Sequence, residues 1–352
     1  MFLSSRPAGK RLLACAGLLL LLLTPLASAT GTTATKPATA AAVDRRISIT
    51  IDDLPWATIN DGSWPVAEGK SISAELSAHH DRLMAALAQA KVPVVGFVNE
   101  GKLVAGTRVD TARVHMLRDW LDAGADLGNH TYGHDDLHAV GLEAFEGEIL
   151  HGEIFLRPLL AERDKTPRWF RHPYLRAGRT PEDKAALEAF LAEHGYRIAP
   201  VTVDTSDWVW AAAYRKTLAN PGIQDGLREE TLARLRHDYV PYMIAKIDYF
   251  EQQSIGLLGY NLPQILLMHA NELNADTYAE LIAAIRARGY RFVTLEEAVA
   301  DPAYRRADAY TGKWGPSWIH RWAIGEKKPK EFFAGEPKVA PWVMELAGVD
   351  SE

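Results

Sequence analysis

Two short patterns in this sequence could do chemistry together. Asp52 and Asp53 stand side by side after the β-branched run RISITI (46–51), and His130 and His134 stand four residues apart in HTYGH (130–134). Two imidazoles and one carboxylate form a three-ligand set that leaves a coordination position open for water, the pattern of a hydrolytic metal centre and not of a closed structural one. The i, i+4 spacing predicts both rings on one face of a helical turn, as in zinc sites. Gly133 weakens a long helix there, so a turn bearing two ligands is expected. A metallopeptidase would have glutamate where Thr131 stands, so the general base must come from elsewhere in the chain. Successive strand residues face opposite sides; Asp52 and Asp53 can therefore serve one centre only where the strand breaks, and Pro55 predicts such a break.

A ligand set of two imidazoles and one carboxylate from the Asp52-Asp53 pair mixes nitrogen and oxygen. Cys15, the only cysteine, lies in the N-terminal apolar run, so a thiolate site is excluded. One divalent ion is expected, zinc first, with cobalt, manganese or nickel as substitutes. Three further polar clusters complete the candidate chemistry: Arg171 to Tyr174, Asp204 to Trp208, and His269 to Glu272.

The elements that must position these groups can be read from periodicity and punctuation. Strands are expected at 46–51, 92–98, just before 130, at 168–174, 196–203, 264–268 and 291–295. Helices are expected near 73–90, 112–123, 142–161, 181–193, 211–255, 278–288 and 296–300. Alternation of this kind indicates an α/β protein with a parallel sheet. Each polar cluster follows a predicted strand directly, and five strand ends converge only if they encircle one space. The expected fold is a distorted parallel (β/α) barrel with about seven strands.

These residues resemble a known family. Thr50-Ile51-Asp52-Asp53, His130-Thr131-x-x-His134, Arg171-His172-Pro173-Tyr174, Asp204-x-x-Asp207-Trp208 and Leu266-Leu267-Met268-His269 are similar, in order, to the five motifs of the polysaccharide deacetylases, the NodB-homology domain of carbohydrate esterase family 4. The resemblance covers about residues 46 to 300. It implies Asp52 as general base, Asp53, His130 and His134 as metal ligands, and Arg171 as the partner keeping Asp52 ionised. It further implies the Tyr174 N–H as oxyanion donor, His269 as the acid that protonates the leaving amine, and Asp207 as the group tuning that histidine. Trp208 and Leu267 would line the pocket for the acetyl methyl. Leu54-Pro55 departs from the family's Gly-Pro, the third motif runs on through Gly178, and 55–80 and 209–262 are long connections that could wall a substrate groove.

The rest of the chain sets the context. A basic head (Arg6, Lys10, Arg11), the apolar run Leu12 to Leu23 and Ala27-Ser28-Ala29 read as a signal peptide over residues 1–29. A Thr/Ala-rich linker would follow to residue 45, then the catalytic domain (46–300) and a Trp/Pro-rich extension (301–352) packed on the barrel. Net charge is −6 with 39 basic and 45 acidic residues, and loss of the three signal cations would make it more acidic still. That balance disfavours nucleic acid and anionic membranes as partners. An acetylated glycan is the expected partner, without stable membrane insertion after cleavage, in the periplasm or outside the cell. His79, His80, His115, His138, His151, His194 and His237 are read as structural or surface residues, Asp135 and Asp136 as turn formers, and Asn271 and Glu272 as groups behind His269. Trp318 and Trp322 could share a helix face that packs on the barrel.

The expected activity is metal-dependent hydrolysis of N-acetyl groups on an amino-sugar polymer or oligomer. Two alternatives stay open: an O-acetyl esterase acting on an acetylated polysaccharide, and a non-catalytic carbohydrate-binding protein of the same fold.

Overall fold

The computed structural model describes residues 43–59 and 74–352. The expected signal peptide, nearly all of the expected linker, and much of the loop at 55–80 lie outside the described residues. The described strands are β1 (Arg46–Leu54), β2 (Val94–Val98), β3 (Val104–Ala105), β4 (Arg108–Val109), β5 (Asp126–Asn129), β6 (Trp169–Phe170), β7 (Arg197–Ile198), β8 (Gln264–His269) and β9 (Arg291–Phe292). The helices are α1 (Ala74–Ala90), α2 (Thr111–Asp122), α3 (Leu137–Val140), α4 (Leu142–His151), α5 (Leu156–Ala161) and α6 (Pro181–Glu193). They continue with α7 (Asp207–Ala219), α8 (Asp225–Leu258), α9 (Glu272–Ala287), α10 (Leu295–Val299), α11 (Trp318–Gly325) and α12 (Pro341–Ala347).

Seven strands form one parallel sheet in the order β7-β6-β5-β2-β1-β8, with β9 beside the start of β1; β3 and β4 make a separate short hairpin. The chain beyond β7 stays extended and crosses to the far edge. Thr202 and Val203 donate to the Ile265 carbonyl at 3.1 and 3.0 Å, and the Leu267 N–H donates to Val203 at 3.1 Å. The segment 197–203 therefore pairs first with β6 and then with β8, and this closes the sheet into a distorted barrel. Both faces of β1 are buried, Ile47, Ile49 and Ile51 on one and Ser48, Thr50 and Asp52 on the other, as a parallel strand covered on both sides requires.

Local chemistry explains where the elements depart from expectation. The helix expected over 142–161 is two helices, α4 and α5, because Glu100 caps the second: its carboxylate accepts from the Leu156 N–H at 2.6 Å and from Phe155 at 2.9 Å. Helix α9 starts at Glu272, earlier than the expected 278, because the Asn271 side chain accepts from the Asn274 N–H at 2.8 Å and caps it. In the tail, Trp318, Ile319 and Trp322 are buried in the main hydrophobic core, and the Trp318 N–H donates to the Val201 carbonyl at 2.7 Å. The two tryptophans are core residues. No helix among the described residues is long and apolar enough to cross a membrane.

Candidate active site

The strand break expected at Asp52-Asp53 takes the form of a bulge. Strand β1 is in register with β2 at Ile51–Gly96, then slips before Leu54–Val98, and Asp53 adopts a left-handed φ of 69°. A bulge re-aims one residue while the strand continues. Asp52 keeps its register partner, His269 of β8, and both carboxylates reach the same centre. Asp53 Oδ1 lies 3.7 Å from His134 Nε2 and 4.0 Å from His130 Nε2, while Asp52 Oδ2 lies 3.8 Å from His130 Nε2.

The two histidines are not on a helical turn, contrary to the spacing argument. Strand β5 ends at Asn129, and the loop that follows holds two left-handed residues, Thr131 at φ 68° and His134 at φ 61°. Side chains hold this shape. Asn129 Oδ1 accepts from the Thr131 N–H at 2.8 Å, Thr131 Oγ1 accepts from the His134 N–H at 3.0 Å, and Asn99 donates to the His130 carbonyl at 2.5 Å. Strain of this kind is held by its surroundings and collects at functional sites. His130 Nδ1 donates to the Arg171 carbonyl at 2.8 Å, which leaves Nε2 with its lone pair toward Asp53, the usual orientation of a ligating imidazole.

Burial lowers the pKa of both imidazoles, His130 strongly, so each is a neutral donor. Burial also opposes ionisation of Asp53, but nearby positive charge, that of Lys102 first, outweighs it and keeps the carboxyl well below its ordinary range. Asp52, which the resemblance pairs with Arg171, is acted on by burial and by charge in opposite directions. Complete burial pushes it up to about 6 against the pull of Arg171 and His269. Arg171 Nη1 is 3.7 Å from Asp52 Oδ2, and its Nη2 donates to Thr50 Oγ1 at 2.8 Å, so the guanidinium is close without bonding the carboxylate.

Asp53, His130 and His134 fit a metal ion. Their donor atoms lie within 4.8 Å of one another, and Asp53 Oδ1 is buried without a hydrogen bond. The donor set is two neutral imidazoles and one ionised carboxylate, which suits zinc and its neighbours.

On the other side of the centre, His269 Nδ1 and Asp207 Oδ1 are 2.6 Å apart, and Asp207 Oδ2 accepts from the His269 N–H at 2.9 Å. Burial would lower the pKa of His269, but the charge and hydrogen bond of Asp207 lift it to about 10. Asn274 Nδ2 donates to Asp207 Oδ2 at 2.9 Å and to the His269 carbonyl at 2.8 Å, and the Tyr239 hydroxyl donates to Asn274 at 2.7 Å. Asp207 begins α7 behind Ser206, itself left-handed. Trp208 is 44% exposed, whereas Leu267 is buried on β8. The Tyr174 ring lies 4.6 Å from that of His134.

Sequence reasoning passed over three contributors. Lys102 follows β2, and its ammonium is 3.5 Å from Asp53 Oδ1 and donates to the Asp53 and Ala57 carbonyls at 3.3 and 3.0 Å. A single lysine after a strand has no motif to mark it, although its place at a strand end was a usable signal. Asn274 was missed because an amide one turn into a helix has no spacing signature. Trp56 was missed in the same way: fully buried, it donates from Nε1 to Glu272 at 3.0 Å and fastens the loop after Asp53. Asp136 caps α3 and pairs with Arg176, as a turn residue would. A cleft of about 510 Å³ opens from the centre, lined by Asp53, Lys102, Tyr132, His134, Asp135 and Tyr174 among others.

Residues 40–198 match the family model described as polysaccharide deacetylase. None of the curated proteins matches the chain. Among solved structures it is similar to a CE4 family pseudoenzyme from Bacillus anthracis, at 15% identity over 73% of this chain and 66% of that one, with a TM-score of 0.45. It is also similar to a peptidoglycan deacetylase from Bacillus subtilis, at 17% identity over 73% and 92% of the two chains with a TM-score of 0.43. A family 4 carbohydrate esterase from Streptomyces lividans, in complex with acetate, is 18% identical over 73% and 97%, with a TM-score of 0.41.

Proposed function

We propose, from the match of residues 40–198 to the polysaccharide deacetylase family model, that the chain is an exported hydrolase releasing acetate from N-acetylated amino-sugar polymers or oligomers. The observation that supports this best is the placement of Asp52 and His269 on paired strand positions beside the cluster of Asp53, His130 and His134.

Asp53, His130 and His134 would hold the divalent ion, which when bound lowers the pKa of a water and polarises the acetyl carbonyl. Asp52 takes the proton as the water oxygen attacks the carbonyl carbon. Arg171, 3.7 Å away and held in place by Thr50, favours the charged carboxylate. The Tyr174 N–H donates to the oxygen that gains charge, a contribution of ~3 kcal/mol in comparable sites. The C–N bond then breaks while His269 donates a proton to the departing nitrogen, since an amine anion is not a viable leaving group. Asp207 holds His269 protonated and oriented for that transfer. Acetate and a free amine result. Trp208, at the rim, and Leu267, beneath it, offer apolar surface to the acetyl methyl.

The test is acetate release from N-acetylglucosamine oligomers and peptidoglycan fragments by the zinc-loaded protein, with Asp53→Ala alongside. Release by the wild type and none by the variant is expected. A zinc-loaded wild type that yields no acetate from any acetylated glycan would refute the assignment.

A further inference from the structure

Building on the deacetylase reading, we propose that the C-terminal segment beyond residue 300 is a positioning element of the site. In it, Gly315 and Arg321 hold the Tyr174–Leu175 turn so that the Tyr174 N–H faces the reacting carbonyl. The turn needs such support. Tyr174 and Leu175 are successive non-glycine residues in the left-handed region, at φ 55° and 53°, where a side chain crowds its own backbone. The bonds internal to the turn are few: the Leu175 N–H donates to His172 at 3.0 Å and the Arg176 N–H to Pro173 at 3.1 Å. Among the described residues, no backbone carbonyl accepts from the Tyr174 N–H.

The support comes from the tail. Arg321, buried to 1% exposure, donates from Nη2 to the Leu175 carbonyl. Its other nitrogens are fixed, Nε on the Pro316 carbonyl and Nη1 on Asp308, both at 2.9 Å. Asp308 in turn pairs with Lys184 of α6 at 2.6 Å, and Lys184 also donates to the Tyr310 carbonyl at 2.9 Å. The Trp318 and Tyr310 rings flank the guanidinium at 4.4 and 5.4 Å. This buried frame ties the tail to the barrel and leaves one arm of Arg321 on the turn.

Gly315 completes the contact. A Cβ at this position would fall 1.9 Å from the Tyr174 carbonyl oxygen and 2.9 Å from the Leu175 carbonyl carbon. Gly315 is not among the residues with positive φ, so glycine is required here for close approach of two backbones and not for its conformational freedom. Any side chain would displace Tyr174 from a position one ring contact away from His134. A tail that served only as cover would have no reason to meet the barrel at this turn through bare backbone.

Gly315→Ala in the full chain tests the proposal, with Arg321→Lys as a milder second variant that keeps the charge on Asp308. Four quantities are read: kcat and KM for acetate release, zinc affinity by calorimetry, melting temperature, and amide hydrogen exchange across 172–176. In Gly315→Ala we expect kcat to fall about tenfold or more with KM changed less than about threefold. Zinc affinity should hold, melting temperature should fall by no more than the few degrees that local overpacking costs, and exchange should quicken within 172–176. Arg321→Lys should fall between that variant and wild type. A kcat within about twofold of wild type, or a loss that tracks lost zinc affinity or melting temperature, overturns the proposal. A wild type that releases no acetate would remove the deacetylase reading instead, and unchanged exchange at 172–176 would still, by itself, refute the role of Gly315.

Discussion

Asp52 and His269 are register partners on the adjacent parallel strands β1 and β8. The proposed base and acid are therefore held apart and parallel by the same ladder that bonds Thr50 to Leu267 and Ile51 to Met268 in register. Neither residue depends on a loop for its place. The metal ligands differ: Asp53 sits on a bulge and both histidines on a strained loop, so the ligand set rests on side-chain braces and the proton-transfer pair on the sheet.

His269→Ala should lower kcat for N-acetyl substrates by about 10²–10⁴-fold, the usual loss on removal of a general acid. An alkoxide leaves more readily than an amine, so loss on an O-acetyl ester of the same sugar should be at least about tenfold smaller. Parallel rate measurements on amide and ester check this. Equal losses would assign His269 another role.

Asp207→Asn should move the alkaline limit of activity downward. Asp207 outweighs burial to hold His269 at about 10. Without that charge the imidazole falls toward or below its ordinary ~6.5, and the protonated form is lost near neutral pH. The pH profile of kcat should lose its alkaline plateau. Stability has the same sign: a raised histidine pKa stabilises the fold fully below the unfolded value of ~6.5, and that contribution fades as pH rises through about 10. Chemical denaturation at pH 6 and 10 should show a smaller difference in Asp207→Asn than in wild type.

Lys102→Met should bind zinc more tightly. The ammonium stands 3.5 Å from the Asp53 oxygen offered to the metal, so it repels an incoming cation through a site that excludes much of the water. Removing one positive charge at this range should raise affinity by roughly tenfold or more, read by chelator competition. Weaker binding would mean that the lysine serves chiefly to position Asp53.

Trp56→Phe should destabilise the fold by about 2–4 kcal/mol, the combined effect of a small cavity and a buried carboxylate oxygen of Glu272 left unpaired. A lower urea midpoint with an unchanged slope is expected. A midpoint equal to wild type would show that the Trp56–Glu272 bond does not fasten the loop.

Much of this site was legible because a parallel barrel delivers its strand ends to one place. The clusters that hold Asp53, His130, His134, Asp207 and His269, remote in the chain, could be grouped from their positions after strands, and the resemblance singled these residues out within them. The i, i+4 spacing of the histidines misled because it suits a helical turn and equally a loop with two left-handed residues; the braces from Asn129 and Asn99 that choose between them are tertiary. The upward shift of Asp52 was out of reach for a related reason. A neighbouring arginine can be inferred from motifs, but complete burial of a carboxylate cannot, and burial prevails there. Lys102 and Asn274 act through contacts with residues remote in the chain, which no pattern of residue types records. The separate helices α4 and α5 escaped notice because their boundary is set by Glu100, more than 50 residues earlier.

The most direct measurement is an anomalous difference map from crystals of the full chain grown with zinc. The predicted result is one strong peak ~2.0–2.2 Å from a carboxylate oxygen of Asp53 and from Nε2 of both His130 and His134. Zinc bound elsewhere, with these three side chains left without an ion, would contradict the account.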